Sequence, residues 1–147
     1  MSLILMLEDD PSRVERFTVT CRAVWPSWQL LVWANAHRMI HEAPDLLPVA
    51  RLISLDHDLE PSPADPTDPG DGLLVAKWLA SHSPACPVIV HTSNGARGDA
   101  MEGKFELAGW ECCRVMPLGD DWVEVDWRVT ARKLLRGARR DEGIVGP

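Results

Sequence analysis

Leu3-Ile4-Leu5-Met6-Leu7-Glu8-Asp9-Asp10-Pro11 is the stretch on which the reading of this chain turns. An unbroken apolar run stops abruptly on three carboxylates and a proline. A strand with one wet face would alternate, so continuous apolar character implies burial on both faces, as in a parallel sheet covered by helices. The run has no basic start and passes straight into Glu8-Asp9-Asp10, so it is read as a strand and not a signal sequence. The segment after it reads as a helix: Asp10 can cap it, Pro11 suits its first position, and Val14, Phe17 and Cys21 form one apolar stripe.

The same strand-to-helix pattern repeats along the chain. Apolar or β-branched runs at 3–7, 30–34, 51–55, 87–90 and 111–116 predict strands β1 to β5, and segments of helical period at 11–24, 36–43, 72–82, 97–108 and 121–136 predict helices α1 to α5. Strict alternation of this kind predicts a doubly wound α/β domain with an open parallel sheet. A length of 147 residues fits one domain. Its expected extent is residues 1–137, with 138–147 a flexible, polar tail. The segment from Glu60 to Gly70 holds four prolines and no apolar period, so it is a loop between β3 and α3, either a tolerated insertion or a lid.

Composition narrows the function. A formal net charge of −7 argues against an extended nucleic-acid surface, which needs many phosphate-neutralising cations. Arg128, Arg132, Lys133, Arg136, Arg139 and Arg140 are read as a solvated basic helix end. No apolar stretch approaches the roughly 18 residues of a membrane span. Cys21, Cys86, Cys112 and Cys113 lack metal-ligand spacing and are read as free thiols, which places the chain in the cytoplasm. The seven tryptophans are read chiefly as packing residues, with Trp110 and Trp122 as candidates to stack a base. His37, His41 and His82 need only surface or capping roles, and Gly70-Asp71-Gly72 is a turn without the spacing of a phosphate loop.

In open parallel sheets ligands bind beyond the carboxyl ends of the strands. Here β1 ends in Glu8-Asp9-Asp10, β3 in Asp56-His57-Asp58 and β4 in His91-Thr92-Ser93-Asn94. Bringing Glu8, Asp9 and Asp56 together creates like-charge repulsion that a divalent cation relieves. Oxygen ligands suit Mg²⁺, and a nearby imidazole shifts the preference toward Mn²⁺. The plain alternative is a set of solvated loop acids. His57 and His91 add groups suited to proton transfer near neutral pH.

These motifs resemble the receiver domains of two-component response regulators. Leu5 to Pro11 resembles the family's acidic first-strand motif, Leu55-Asp56 with the later Asp71-Gly72 resembles the phosphoacceptor strand and its downstream turn, and Pro87 to Ser93 resembles the fourth strand ending in a hydroxyl, here Thr92. The resemblance implies a flavodoxin-like, five-stranded parallel sheet of order 2-1-3-4-5, a metal held by Glu8, Asp9, Asp56 and the main-chain carbonyl of Asp58, and Asp56 as acceptor. One departure stands out: the Lys-Pro that closes the family's β5 is Met116-Pro117 here.

Leu55-Asp56-His57-Asp58-Leu59 with His91-Thr92-Ser93-Asn94 is similar to a divergent group, the cyclic-phosphate-processing receiver domains. That resemblance implies a metal-dependent phosphoesterase acting on a small cyclic phosphate or diester, such as a nucleotide end. Asp56, His57 and His91 would then be catalytic, while Thr92, Ser93, Asn94 and Arg97 would hold phosphate. The rival is a signalling module, a chain without an output domain that docks a protein partner through its α4–β5–α5 face, with Asp56 as phosphoacceptor. A third is a pseudo-receiver in which the acids are relics.

Overall fold

Strand β1 (Leu3–Leu7) is buried along its whole length and is an interior strand, between β2 and β3, of a five-stranded parallel sheet of order β2-β1-β3-β4-β5. The computed structural model describes the backbone of residues 1–145 and the side chains of residues 1–137. The remaining strands are β2 (Gln29–Trp33), β3 (Ala50–Leu55), β4 (Val88–Val90) and β5 (Cys112–Arg114), and the helices are α1 (Pro11–Val24), α2 (Ala36–Glu42), α3 (Gly72–Ala80), α4 (Gly95–Leu107) and α5 (Arg128–Val145). The expected flavodoxin-like topology is what the chain adopts. Among the described residues no helix is long and apolar enough to cross a membrane.

Strand alternation sorts the core into two layers. Leu3, Leu5 and Leu7 pack with Leu55, Val88 and Val90 beneath α2, α3 and α4. Ile4 and Met6 pack with Leu52, Ile89, Phe17 and Trp127 beneath α1 and α5. The chain leaves β1 toward β2 on one side and returns as β3 on the other, so the order reverses between β1 and β3. That crevice is where the acidic strand ends meet.

Local chemistry explains the element boundaries. Asp10 Oδ1 accepts from the amides of Ser12 and Arg13 at 2.9 and 3.2 Å and starts α1 one residue later, at Pro11. Asn94 caps Arg97 N at 3.1 Å, so α4 begins at Gly95, two residues before the expected start. The expected single helix from 121 is instead a π turn, Val123–Trp127, running into α5. The Trp127 amide bonds the Trp122 carbonyl five residues back at 2.8 Å, and both indoles face the core. Helix α5 runs past its expected end at 136, and the side chains of the expected 138–147 tail lie outside the described residues.

Gly72 marks the tightest approach near the strand ends. Its amide donates to the His57 carbonyl at 2.9 Å. A Cβ there would run into the Asp56 carbonyl oxygen and come within 2.8 Å of His57 Cα. Only glycine lets α3 start against the end of β3.

Candidate functional site

The carboxylates of Glu8, Asp9 and Asp56 converge, with one oxygen of each within 4.8 Å of the others. Glu8 and Asp56 follow the ends of β1 and β3 and project to the α1 side of the sheet. Glu8 is 1 % and Asp56 6 % exposed, so neither is a solvated loop acid. Asp9 accepts the Glu60 amide at 2.6 Å, which ties the proline-rich loop to the cluster.

The three carboxyl groups are held differently. Burial, aided by the Glu8 charge, pushes Asp56 up to about 6 against the pull of His91, the His57 amide and Arg13. Burial and the same Glu8 charge raise Asp9 despite the Glu60 amide. Burial opposes ionisation of Glu8 too, but the hydrogen bond and charge of His91, with the Asp10 amide and Arg13, carry it below its ordinary value. Burial and the neighbouring Glu8 charge thus oppose ionisation of Asp56 and Asp9, a penalty that a cation among the three would relieve. An all-oxygen set suits a hard divalent ion such as Mg²⁺ or Mn²⁺.

His91 is 0 % exposed and lies on the α1/α5 side, between Phe17 and Trp122. The Trp127 indole N–H donates to Ser54 Oγ at 2.9 Å, Ser54 Oγ meets His91 Nδ1 at 2.6 Å, and His91 Nε2 meets Glu8 Oε1 at 3.2 Å. An indole can only donate and an ionised carboxylate only accept, so Trp127 donates to Ser54 and His91 Nε2 donates to Glu8, with Ser54 Oγ and His91 Nδ1 paired between them. The other Glu8 oxygen accepts the amides of Asp9 and Asp10 at 3.0 and 3.1 Å. His91, expected as a catalytic acid or base, is therefore a fully buried ring with both nitrogens engaged, one of them on Glu8.

His57 projects to the opposite, α3/α4 side. Its Nδ1 meets Asp58 Oδ1 at 2.9 Å, while Nε2 is buried with no hydrogen-bond partner and lies 3.7 Å from Asp71 Oδ2. His57, the other expected acid or base, is buried, and Asp58 is the exposed end of the pair. The Asp58 carboxylate faces His57, at 2.9 Å, and Asn94 Nδ2, at 3.4 Å, and is not one of the three that converge.

The family model for cyclic-phosphate processing receiver domains matches residues 4–106. The chain belongs to that family. No curated protein gives a significant match. Among solved structures the chain is similar to the response regulator domain of Thermotoga maritima CheB, at 13 % identity and TM-score 0.63, covering 92 % of this chain and 97 % of that one. It is also similar to the Mn²⁺-bound form of response regulator Rcp1, at 15 % identity and TM-score 0.62 over 97 % and 92 % of the two chains. A response regulator from Colwellia psychrerythraea matches at 13 % identity and TM-score 0.61 over 92 % and 97 %. At these identities the likeness is one of fold.

This cyclic-phosphate processing receiver carries a half-exposed Met116 where the response regulators' lysine would stand. Its site cation comes from elsewhere. Arg13, in the first turn of α1, places Nη1 3.7 Å from Glu8 Oε1 and 3.8 Å from Asp56 Oδ2, with its guanidinium over the Trp122 ring. Nothing in the sequence flags Arg13, because its role depends on how α1 leaves β1. Ser54 is a second site residue absent from the sequence-based set, although a hydroxyl inside Leu52-Ile53-Ser54-Leu55 is a readable signal: a buried polar group needs partners.

The β4–α4 segment that carries the other expected ligands is pinned from behind. Arg114 donates to the Thr92 carbonyl from Nε and Nη2 at 3.2 and 3.1 Å, and to the Asn94 carbonyl at 3.2 Å. A Cβ on Gly98 would collide with that guanidinium, so the glycine lets Arg114 lie against α4. Thr92 is buried and its Oγ1 accepts the Asn94 amide at 3.1 Å, whereas Ser93 and Arg97 are exposed and Asn94 is half-buried. Trp110 and Trp122, the expected base-stacking candidates, are 4 % and 3 % exposed and belong to the core. The cysteines are free, and burial pushes Cys21, Cys86 and Cys112 up to about 12.

Proposed function

We propose that this receiver is a metal-dependent phosphoesterase that opens a small cyclic phosphate or cleaves a phosphodiester. The observation that carries the reading is the Glu8–Asp9–Asp56 cluster, two of its three carboxylates buried, whose geometry and charge fit a divalent ion. The Mn²⁺-bound Rcp1 structure, of the same fold, supports the choice of ion. Glu8, Asp9, Asp56 and the Asp58 carbonyl would hold it. When bound, the ion supplies a Lewis acid for the phosphate and a water of lowered pKa.

The chain's own groups divide the remaining work. Arg13, the exposed Ser93 and Arg97, and the half-buried Asn94 bind phosphate oxygens around the cluster, with buried Thr92 setting the loop that presents them. Asp58, backed by the His57 imidazole, exchanges a proton with attacking water or departing alkoxide. His91 keeps one Glu8 oxygen aimed at the site.

The test is hydrolysis of nucleoside 2′,3′-cyclic phosphates and simple diesters with Mg²⁺, Mn²⁺ or chelator. Turnover that requires metal, and that falls at least about a thousandfold in Asp56→Asn, is the expected result. Equal turnover in that variant removes the acidic cluster from the mechanism.

A second reading is a phosphoaccepting signalling receiver that docks a partner through its α4–β5–α5 face. Arg13 favours it, since its guanidinium near Asp56 replaces the counter-charge lost with the lysine. Acetyl phosphate separates the two: an acid-stable, base-labile adduct on Asp56 without diester turnover selects the signalling role.

A further inference from the structure

A cavity of about 480 Å³ opens between the end of β2, helix α2 and the proline-rich loop, lined among others by Trp33, Asn35, Arg38, Glu42, Glu60 and Asp65. It lies outside the acidic cluster but shares a wall with it. The Glu60 amide donates to the Asp9 carboxylate at 2.6 Å, and the Glu8 amide donates to the Trp33 carbonyl at 2.9 Å. At the other end of the loop the Ala36 amide donates to the Pro69 carbonyl at 2.7 Å, so the loop is tied down on both sides of the opening. A ligand held on the cluster therefore has this cavity as its neighbour.

The lining states what fits. Glu42, Glu60 and Asp65 outnumber Arg38, whose Nε is already 3.5 Å from Glu42. A second phosphate would be repelled there. The half-buried Trp33 offers an indole surface, and carboxylates accept from exocyclic amines. The volume falls within the roughly 300–1,000 Å³ of small-molecule sites. Flat, aromatic and donor-edged describes a nucleobase, and no other tryptophan is both half-buried and beside the cluster among the described residues.

We infer that this cavity receives the base of a nucleotide whose phosphate rests on the acidic cluster, with Trp33 as the stacking platform and the carboxylates favouring amino-bearing bases over uracil. This rests on the phosphoesterase reading and narrows its substrate to nucleotides.

The test is calorimetric binding, in Mg²⁺, of guanosine, adenosine and uridine 3′-monophosphates and of base-free glycerol phosphate. The purine nucleotides are expected to bind about tenfold tighter than glycerol phosphate, with uridine between them. Trp33→Leu should remove most of that advantage while leaving Mg²⁺ affinity unchanged, and Trp33→Phe should restore part of it. Saturation transfer from indole protons to base protons in the wild type reads the same contact without a variant. Purine nucleotides binding no tighter than glycerol phosphate, or a folded Trp33→Leu that binds them as the wild type does, overturns the inference. A protein that ignores Mg²⁺ breaks the phosphoesterase reading instead. Adenosine alone, without metal, then decides the cavity: transfer to its base supports the inference and none overturns it.

Discussion

His91 and His57 leave neighbouring strands of one sheet in opposite directions, and their surroundings differ as much as their directions. His91 has both ring nitrogens engaged, no exposure, and aromatic rings on either side. His57 has one nitrogen on Asp58 and one with no hydrogen-bond partner, on the side that carries the exposed Asp58 and Asp71 carboxylates. A saturated imidazole has nothing left to exchange and serves to fix geometry. An imidazole with a spare nitrogen can respond to a change of charge beside it. The difference teaches that the α1/α5 side of the site is a rigid support for Glu8, and the α3/α4 side is where proton movement is to be sought.

The largest effect that can break this contrast is kinetic. Replacing His57 by Ala should lower the rate of diester cleavage by about a hundredfold or more, as loss of general acid–base assistance does. Because His57 acts through Asp58, the pH–rate profile should shift as well, and His57→Gln, which can still donate to Asp58, should recover part of the rate. The fold should survive, with the melting transition moved by only a few degrees. A variant that loses stability but keeps its rate and profile would make His57 a structural residue like its counterpart.

His91 should fail in the other way. His91→Leu leaves the Glu8 carboxylate buried without its main partner and Ser54 Oγ without its ring partner. Breaking a buried, hydrogen-bonded charge pair costs about 3–5 kcal/mol, which chemical denaturation reads as a lower midpoint at unchanged slope. Metal affinity should fall with it, and turnover at saturating metal should fall less. Stability equal to wild type would show that Glu8 needs no buried partner.

This contrast also marks the boundary of what is legible in the sequence. The sheet order and the meeting of Glu8, Asp9 and Asp56 can be read because continuous apolar runs, a capped helix start and acids at strand ends each speak through local sequence. The directions of His57 and His91 cannot. Strand alternation fixes a side chain's face only within the sheet, and both histidines stand past the ends of β3 and β4, where the chain has left it. Arg13 and Trp33 are hidden for a related reason: each matters only through an element packed beside it. Ser54 is visible as a lone hydroxyl in an apolar run, but its partners come from β4 and α5. The π turn escapes because Trp122 and Trp127, five residues apart, do not share a face on a regular α-helix.

The smallest expected effect sharpens the contrast at the acid between the two histidines. Asp56 is pushed up to about 6 from an ordinary 3.8, so the folded state holds its proton more firmly than the unfolded chain does. The stability this contributes is full when the group is protonated, below about pH 4, and is lost as pH rises through about 6, a change on the order of 1–3 kcal/mol in the metal-free protein. Glu8 has the opposite sign, being lowered, so its contribution is lost only as pH falls below the ordinary carboxylate range. In chelator at neutral pH, Asp56→Asn should therefore melt at a higher temperature than wild type, with the gap closing toward pH 4. Mg²⁺ should raise the wild-type transition by mass action and leave the variant unmoved. If Asp56→Asn is no more stable than wild type at neutral pH, the carboxylate already has enough compensation from Arg13 and His91. The cluster would then bind its phosphate ligand without calling for a cation.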